Sequence, residues 1–205
     1  LLVATGRRPR TDDLGLREAG VDTDTRGAIL TDQHQRTTSP NIYAAGDVTN
    51  SPQFVYLAAA QGAAAAENAI GNLDSSVDLT GLPSVIFTDP QLGSAGLTEA
   101  EATDKGIDVD ARTIGLDKVP RAVVEHDTRG AVKIVADRAS RKILGVHAVA
   151  PGAGDLMLAA TYAITNGMTI EDMASTWAPY LTNAEALRLA ARSFDHDIGR
   201  LSCCA

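Results

Sequence analysis

Apolar positions run in short alternating blocks at both ends of the chain, separated by one long small-residue stretch. From Phe54 to Ile70, alanines and larger apolar residues continue without proline for long enough to predict a helix. Gly62 inside it would cost about 1 kcal/mol relative to alanine, so it predicts close packing against a neighbour. Ahead of that helix, Leu1-Leu2-Val3-Ala4-Thr5-Gly6 predicts a strand entering a turn, and a polar stretch covers Thr11 to Pro40. Asn41 to Ala45 predicts a buried strand ending in Gly46-Asp47. Behind the helix, Gly, Asn, Asp and Ser gather between Asn72 and Thr80, which predicts a domain boundary dividing residues 1–75 from 76–205.

The second part mixes both periodicities. Ser84 to Phe87 predicts a short strand, and Thr98-Glu99-Ala100-Glu101 has the capping-box spacing that opens a helix, with Gly106 placed to close it. Val132 to Ala136 and Ile143 to Ala150 predict two strands about a turn at Asp137 to Arg141. Helical stretches follow near Asp155 to Asn166, Ile170 to Ser175 and Asn183 to Phe194. The last two are opened by Thr169 with Asp172 and by Thr182 with Glu185. Strands followed by helices predict an α+β domain. Gly152-Ala153-Gly154 lacks a third fingerprint glycine and is read as a loop. Met157, Met168, Met173 and Trp177 are read as core or interface residues.

Charge and cysteine usage narrow the function. Over 205 residues, 18 basic side chains face 26 acidic ones, a net charge of −8 that offers polyanions no attraction. Neither nucleic acid nor an anionic membrane is an expected partner. The longest apolar candidate for a membrane span, Val55 to Ile70, is interrupted by Gln61, Gly62, Glu67 and Asn68. The first residue is Leu1 rather than Met, so the sequence is expected to open mid-protein. Its two cysteines, Cys203 and Cys204, are adjacent near the end and cannot staple a core. A reducing, cytoplasmic compartment is the expectation.

Two features could do chemistry. A strand ending in Gly46-Asp47 before a helix can aim a carboxylate and helix N–H groups at one polar ligand; taken alone, a turn closed by an Asx hydrogen bond is the simpler account. Two adjacent thiols suit a soft cation, which thiolates select and exchange, although an incidental pair at a chain end would look the same. Spacing for a closed zinc site is lacking. His34, His126, His147 and His196 show no ligand spacing, and His147 within a strand reads as a satisfied, partly buried side chain.

Leu2-Val3-Ala4-Thr5-Gly6-Arg7-Arg8-Pro9, followed at the expected interval by Thr38-Ser39-Pro40-Asn41-Ile42-Tyr43-Ala44-Ala45-Gly46-Asp47-Val48, resembles the closing segment of the pyridine nucleotide-disulfide oxidoreductases, flavoproteins with two dinucleotide sites. Phe87-Thr88-Asp89-Pro90-Gln91 and Gly96-Leu97-Thr98-Glu99 resemble that family's entry into its C-terminal dimerisation domain. The resemblance implies an α/β and α+β architecture: the end of an FAD-binding Rossmann-like domain, then an α+β dimerisation domain. It places Gly46-Asp47 against the ribityl chain of FAD, the backbone near Val55 against the flavin ring, and Gly6 beside the nicotinamide cofactor. It also implies a homodimer in which one subunit completes the other's active site.

Two departures single out a branch of the family. Most relatives carry His-Pro-Thr with a glutamate five places after the histidine, an acid–base pair for a dithiol. Here the stretch reads Pro179-Tyr180-Leu181-Thr182-Asn183-Ala184-Glu185. Tyrosine, with a pKa of about 10, is a poor proton acceptor at neutral pH, though its hydroxyl can donate or ligate. Glu185 is expected to complete a capping box with Thr182, and Tyr180 could equally be a core aromatic. This stretch and the terminal Cys203-Cys204 together are similar to the family's Hg(II)-reducing members. The resemblance then implies an NADPH- and FAD-dependent oxidoreductase acting on Hg(II), with Tyr180, Cys203 and Cys204 catalytic and the two cysteines as metal ligands. The redox cysteine pair and the glycine-rich fingerprints do not occur, so the chain is expected to be the C-terminal portion of such an enzyme and inactive alone. A disulfide reductase of the same family, or a non-catalytic dimerisation and metal-binding module, are the alternatives.

Overall fold

A computed structural model describes residues 1–71 and 73–200, which divide into two compact units, the first ending at Asp78 and the second beginning at Leu79. The first unit is built mainly of turns about one helix. Helix α1 spans Val55–Gly71 and buries Leu57, Gln61, Ala64 and Asn68, a spacing that follows one narrow stripe of a 3.6-residue period. Gly62 lies off this stripe, exposed, and among the described residues a Cβ there would meet nothing within 4 Å, so none of them packs closely on it. Val21, Ile29 and Ala44 form the small apolar cluster of this unit.

Both strands expected in this unit are corrected. Leu1–Gly6 forms no strand, because among the described residues no ladder partner lies beside it, and Leu1, Leu2 and Val3 are exposed. In Asn41 to Ala45 only Tyr43 bridges, to Arg36; the chain then tightens into a 3-10 turn at Gly46–Val48.

The second unit is a five-stranded antiparallel sheet in the order β1-β2-β5-β4-β3, formed by Pro83–Ile86, Gln91–Gly96, Val109–Gly115 (β3), Ala131–Asp137 (β4) and Ile143–Ala150 (β5). In β5, Val146, Ala148 and Ala150 point inward while His147 and Val149 point out, the alternation the sequence predicted. Helix α2 (Glu99–Asp104) and helix α3 (Pro120–Val124) lie in the connections flanking β3. Helix α4 (Ala153–Thr165) packs on β1, β2 and β5, whereas α6 (Glu185–Arg192) packs on β3 and β4 and against α5 (Ile170–Ser175). The core runs between this helical layer and one sheet face, through Ile134, Val146, Met157 and Ala190.

Strands β2 and β3 were not anticipated. Gln-Leu-Gly-Ser-Ala-Gly has little β-propensity, but Gly93 is required where α4 crosses: a Cβ there would lie 2.8 Å from the Ala153 carbonyl and 2.9 Å from Met157 Cγ. Two capping boxes form as expected, Thr98 with Glu101 and Thr169 with Asp172. The third does not: α6 is capped by Ala184 without a side-chain bond. Gly152-Ala153-Gly154 is also no loop, since Gly152, with φ +69°, serves as N-cap and the next two residues begin α4. The chain after α6 is tied back by Arg141, whose guanidinium bonds Glu171 and Asp195 (2.5 Å to the latter). The Phe194 ring lies beneath Arg112 and Arg141, at 5.4 and 5.9 Å from its centroid.

Candidate functional site

In the first unit, three of the segments singled out by sequence converge. Gly46 holds φ +78°, and its N–H donates to the buried Gln61 side chain at 2.8 Å, so α1 itself fixes the turn. A Cβ on Gly46 would come within 3.1 Å of Ala58 Cβ, which explains the glycine by close approach as well as by dihedral. Gln61 in turn donates to Ser51 at 2.8 Å, and Thr49 donates its hydroxyl to the Gly46 carbonyl at 2.8 Å.

Asp47 follows this turn with its carboxylate half exposed. Arg7 reaches it at 3.4 Å and donates at 2.9 Å to the Gln53 carbonyl, while Gln53 donates at 3.2 Å to the Asp47 carbonyl. The segment carrying Gly6 is thereby brought to Asp47 and to the entry of α1, where Val55 is exposed. Amides in a first helical turn have no intrahelical acceptor and face an electron-rich edge favourably. Among the described residues Arg7 is the only partner of the Asp47 carboxylate, which keeps its other lone pairs for hydroxyl donors. Such a set fits the polyol and ring edges of a flavin dinucleotide. Sequence reasoning missed Arg7 and Gln61; the signal for Gln61 was an amide breaking an alanine run.

In the second unit, Tyr180 lies in the loop between α5 and α6, mostly exposed. Trp177, read as core or interface, is also exposed, at 95%, whereas Met157 and Met173 are buried. With Tyr162, Met168 and Pro179 it lines a cleft of about 260 Å³. Glu185 is buried, its carboxylate accepting the Leu181 N–H at 2.7 Å, and Thr182 donates its hydroxyl to the Pro179 carbonyl at 2.8 Å. The expected box between these two residues is replaced because each turns toward the loop instead of the helix. His147 is satisfied, its Nδ1 at 2.7 Å from Ser94 Oγ and its Nε2 at 3.1 Å from the Leu97 carbonyl. Cys203 and Cys204 lie outside the described residues. Among the described residues, no group of three or more His, Cys, Asp or Glu side chains could hold a metal ion, and no helix is long and apolar enough to cross a membrane.

The mixed fold, with an antiparallel sheet in the second unit, corresponds to a known family. Residues 82–191 match the pyridine nucleotide-disulphide oxidoreductase dimerisation domain and residues 1–62 the pyridine nucleotide-disulphide oxidoreductase domain; the chain belongs to this family. It is 53% identical over all 205 residues to a mercuric reductase of Streptomyces lividans, covering 43% of that protein. A mercuric reductase of Staphylococcus aureus is 49% identical over the same span, which is 38% of its length. The chain thus spans less than half of the curated relatives it matches. Among solved structures, LpdA from Mycobacterium tuberculosis superposes with a TM-score of 0.82 at 28% identity, covering 92% of this chain and 41% of that one. The HOCl-induced flavoprotein disulfide reductase RclA from Escherichia coli gives 0.81 at 28%, covering 92% and 43%.

Proposed function

We propose that this chain is the C-terminal portion of a cytoplasmic, homodimeric flavoenzyme that reduces Hg(II) to elemental mercury with NADPH. Residues 1–75 would close its FAD-binding domain and 76–205 form its interface domain. The observation that carries this reading is similarity to mercuric reductases along the entire chain, at 53% identity. Two electrons leave NADPH as hydride, yielding NADP⁺, a proton and Hg(0); FAD, when bound, supplies the relay.

This chain's own residues hold and deliver. Asp47 would accept hydroxyls of the FAD ribityl chain, Gly46 gives that carboxylate its direction, and the backbone near Val55 would meet the ring. Gly6 leaves room on the nicotinamide side. Cys203 and Cys204 take Hg(II) from solution thiols by ligand exchange, each new Hg–S bond releasing one incoming thiolate, and surrender it the same way to the partner subunit's inner thiols. Tyr180 lines that route and offers its hydroxyl as donor or ligand.

Replacing both tail cysteines by alanine in the intact enzyme tests the delivery role. Turnover of Hg(II) presented as its dicysteine complex is expected to fall, with flavin content retained. Parent-level turnover would remove the role. Tyr180→Phe is expected to slow Hg(II) reduction with FAD still bound; an identical rate would leave Tyr180 a packing residue.

A further inference from the structure

We propose that Thr182 and Glu185 form a brace that aims the Tyr180 side chain, making both of them positioning residues for Hg(II) handling; this rests on the role given to Tyr180 above. The Cα–Cβ vector from which a side chain departs is fixed by the two peptide planes that flank its residue, and χ1 then selects among a few staggered rotamers. Both planes around Tyr180 are held. On its N-terminal side, the Pro179 carbonyl accepts the Thr182 hydroxyl at 2.8 Å. On its C-terminal side, the Leu181 N–H donates to Glu185 Oε2 at 2.7 Å.

The arrangement costs local comfort elsewhere, which argues against an incidental contact. Leu181 is held at φ +61°, a conformation that L side chains avoid. Glu185 is 8% exposed, and among the described residues its carboxylate is bonded only to the Leu181 amide. A carboxylate so removed from water needs its partner. Helix α6 meanwhile goes without a side-chain cap, although the sequence supplies a threonine and a glutamate at box spacing. Asn183 adds a third tie, donating to the Pro151 carbonyl at 3.2 Å. The one group left unheld is the Tyr180 side chain: 58% exposed, its hydroxyl has no hydrogen-bond partner among the described residues. A backbone fixed on both sides of Tyr180 limits its available hydroxyl to the few staggered positions that start from one Cα–Cβ vector.

The test uses the intact flavoenzyme with Hg(II) supplied as its dicysteine complex. Thr182→Val and Glu185→Ala are each expected to lower kcat by about tenfold. Flavin content and the rate of flavin reduction by NADPH are expected to stay at parent values. On a Tyr180→Phe background neither substitution should lower kcat further. With Tyr180 present, Glu185→Gln, which keeps an acceptor oxygen for the Leu181 amide, should retain the kcat that Glu185→Ala loses. Losses that add to that of Tyr180→Phe, or parent kcat in Thr182→Val, would overturn the brace. If Glu185→Ala does not fold, Thr182→Val poses the same question at the other peptide plane. A parent rate in Tyr180→Phe itself would instead remove the role of the tyrosine, an outcome distinguishable from failure of the brace.

Discussion

The two units of this chain are stabilised by different means. In the second, a layer of helices closes over a five-stranded sheet, and residues such as Ile134, Val146 and Met157 are almost wholly removed from water. In the first, the apolar cluster is Val21, Ile29 and Ala44, and the buried stripe of the main helix includes two amides. Those amides do what a core does elsewhere. Gln61 holds the Gly46 turn, and Asn68 bonds the His34 and Ser75 carbonyls at 2.8 Å and accepts the Ser75 N–H at 2.9 Å. One unit is held by shape, the other by directed bonds. The candidate FAD contacts lie in the second kind, where a glycine turn and a carboxylate need direction more than density.

The contrast breaks most severely at the sheet. Met157→Ala is expected to cost about 2–5 kcal/mol in denaturant unfolding, since a buried side chain is removed from a close-packed layer. A loss well under that range would mean the helical layer can collapse into the space. Next comes Gln61→Leu, similar in size but without an acceptor for the Gly46 N–H. A cost of about 1–3 kcal/mol is expected, read as faster hydrogen exchange at the Gly46 amide with the sheet amides unchanged. Equal acceleration in both units would erase the distinction drawn here.

Smallest is the acid response of the two capping boxes. Hydrogen bonds from the Thr98 backbone and hydroxyl hold the Glu101 carboxyl below its ordinary range, and those of Thr169 do the same for Asp172. A depressed folded-state value stabilises above the unfolded pKa of about 4 and is lost as the pH falls through the lowered value. Glu101→Gln and Asp172→Asn together should therefore flatten the fall in melting temperature between neutral and acid pH; an unchanged slope would show that these carboxyls do not contribute to it.

What the sequence made legible follows the same division. Strands β4 and β5 carry alternation and helices α2 and α5 carry capping boxes, whereas α4 shows only as an apolar helical stretch. Strand β2 carries no such signal, because its Gly93 answers to a helix crossing above it, information held in Ala153 and Met157 some sixty residues away. Leu1–Gly6 reads as a strand but forms none, since a ladder depends on a neighbour and not on propensity. At the candidate site, Asp47 and Val55 were singled out through a family pattern, whereas the bonding of Arg7 to Asp47 and of Gln61 to Gly46 spans 40 and 15 residues and has no signature in spacing. Thr182 and Glu185 show the limit of spacing alone: a capping interval fits equally well to a helix and to the loop before it.

Arg141 has a wider reach than its turn suggests. Its carbonyl accepts the Ile170 N–H at 2.9 Å, and its guanidinium grips Glu171, Asp195 and the face of Phe194. A hairpin tip, the opening of one helix and the segment past another are thus riveted at a single residue. Loss of this one side chain would therefore remove a partner from two of these segments at once, Glu171 at the helix opening and Asp195 past the other helix.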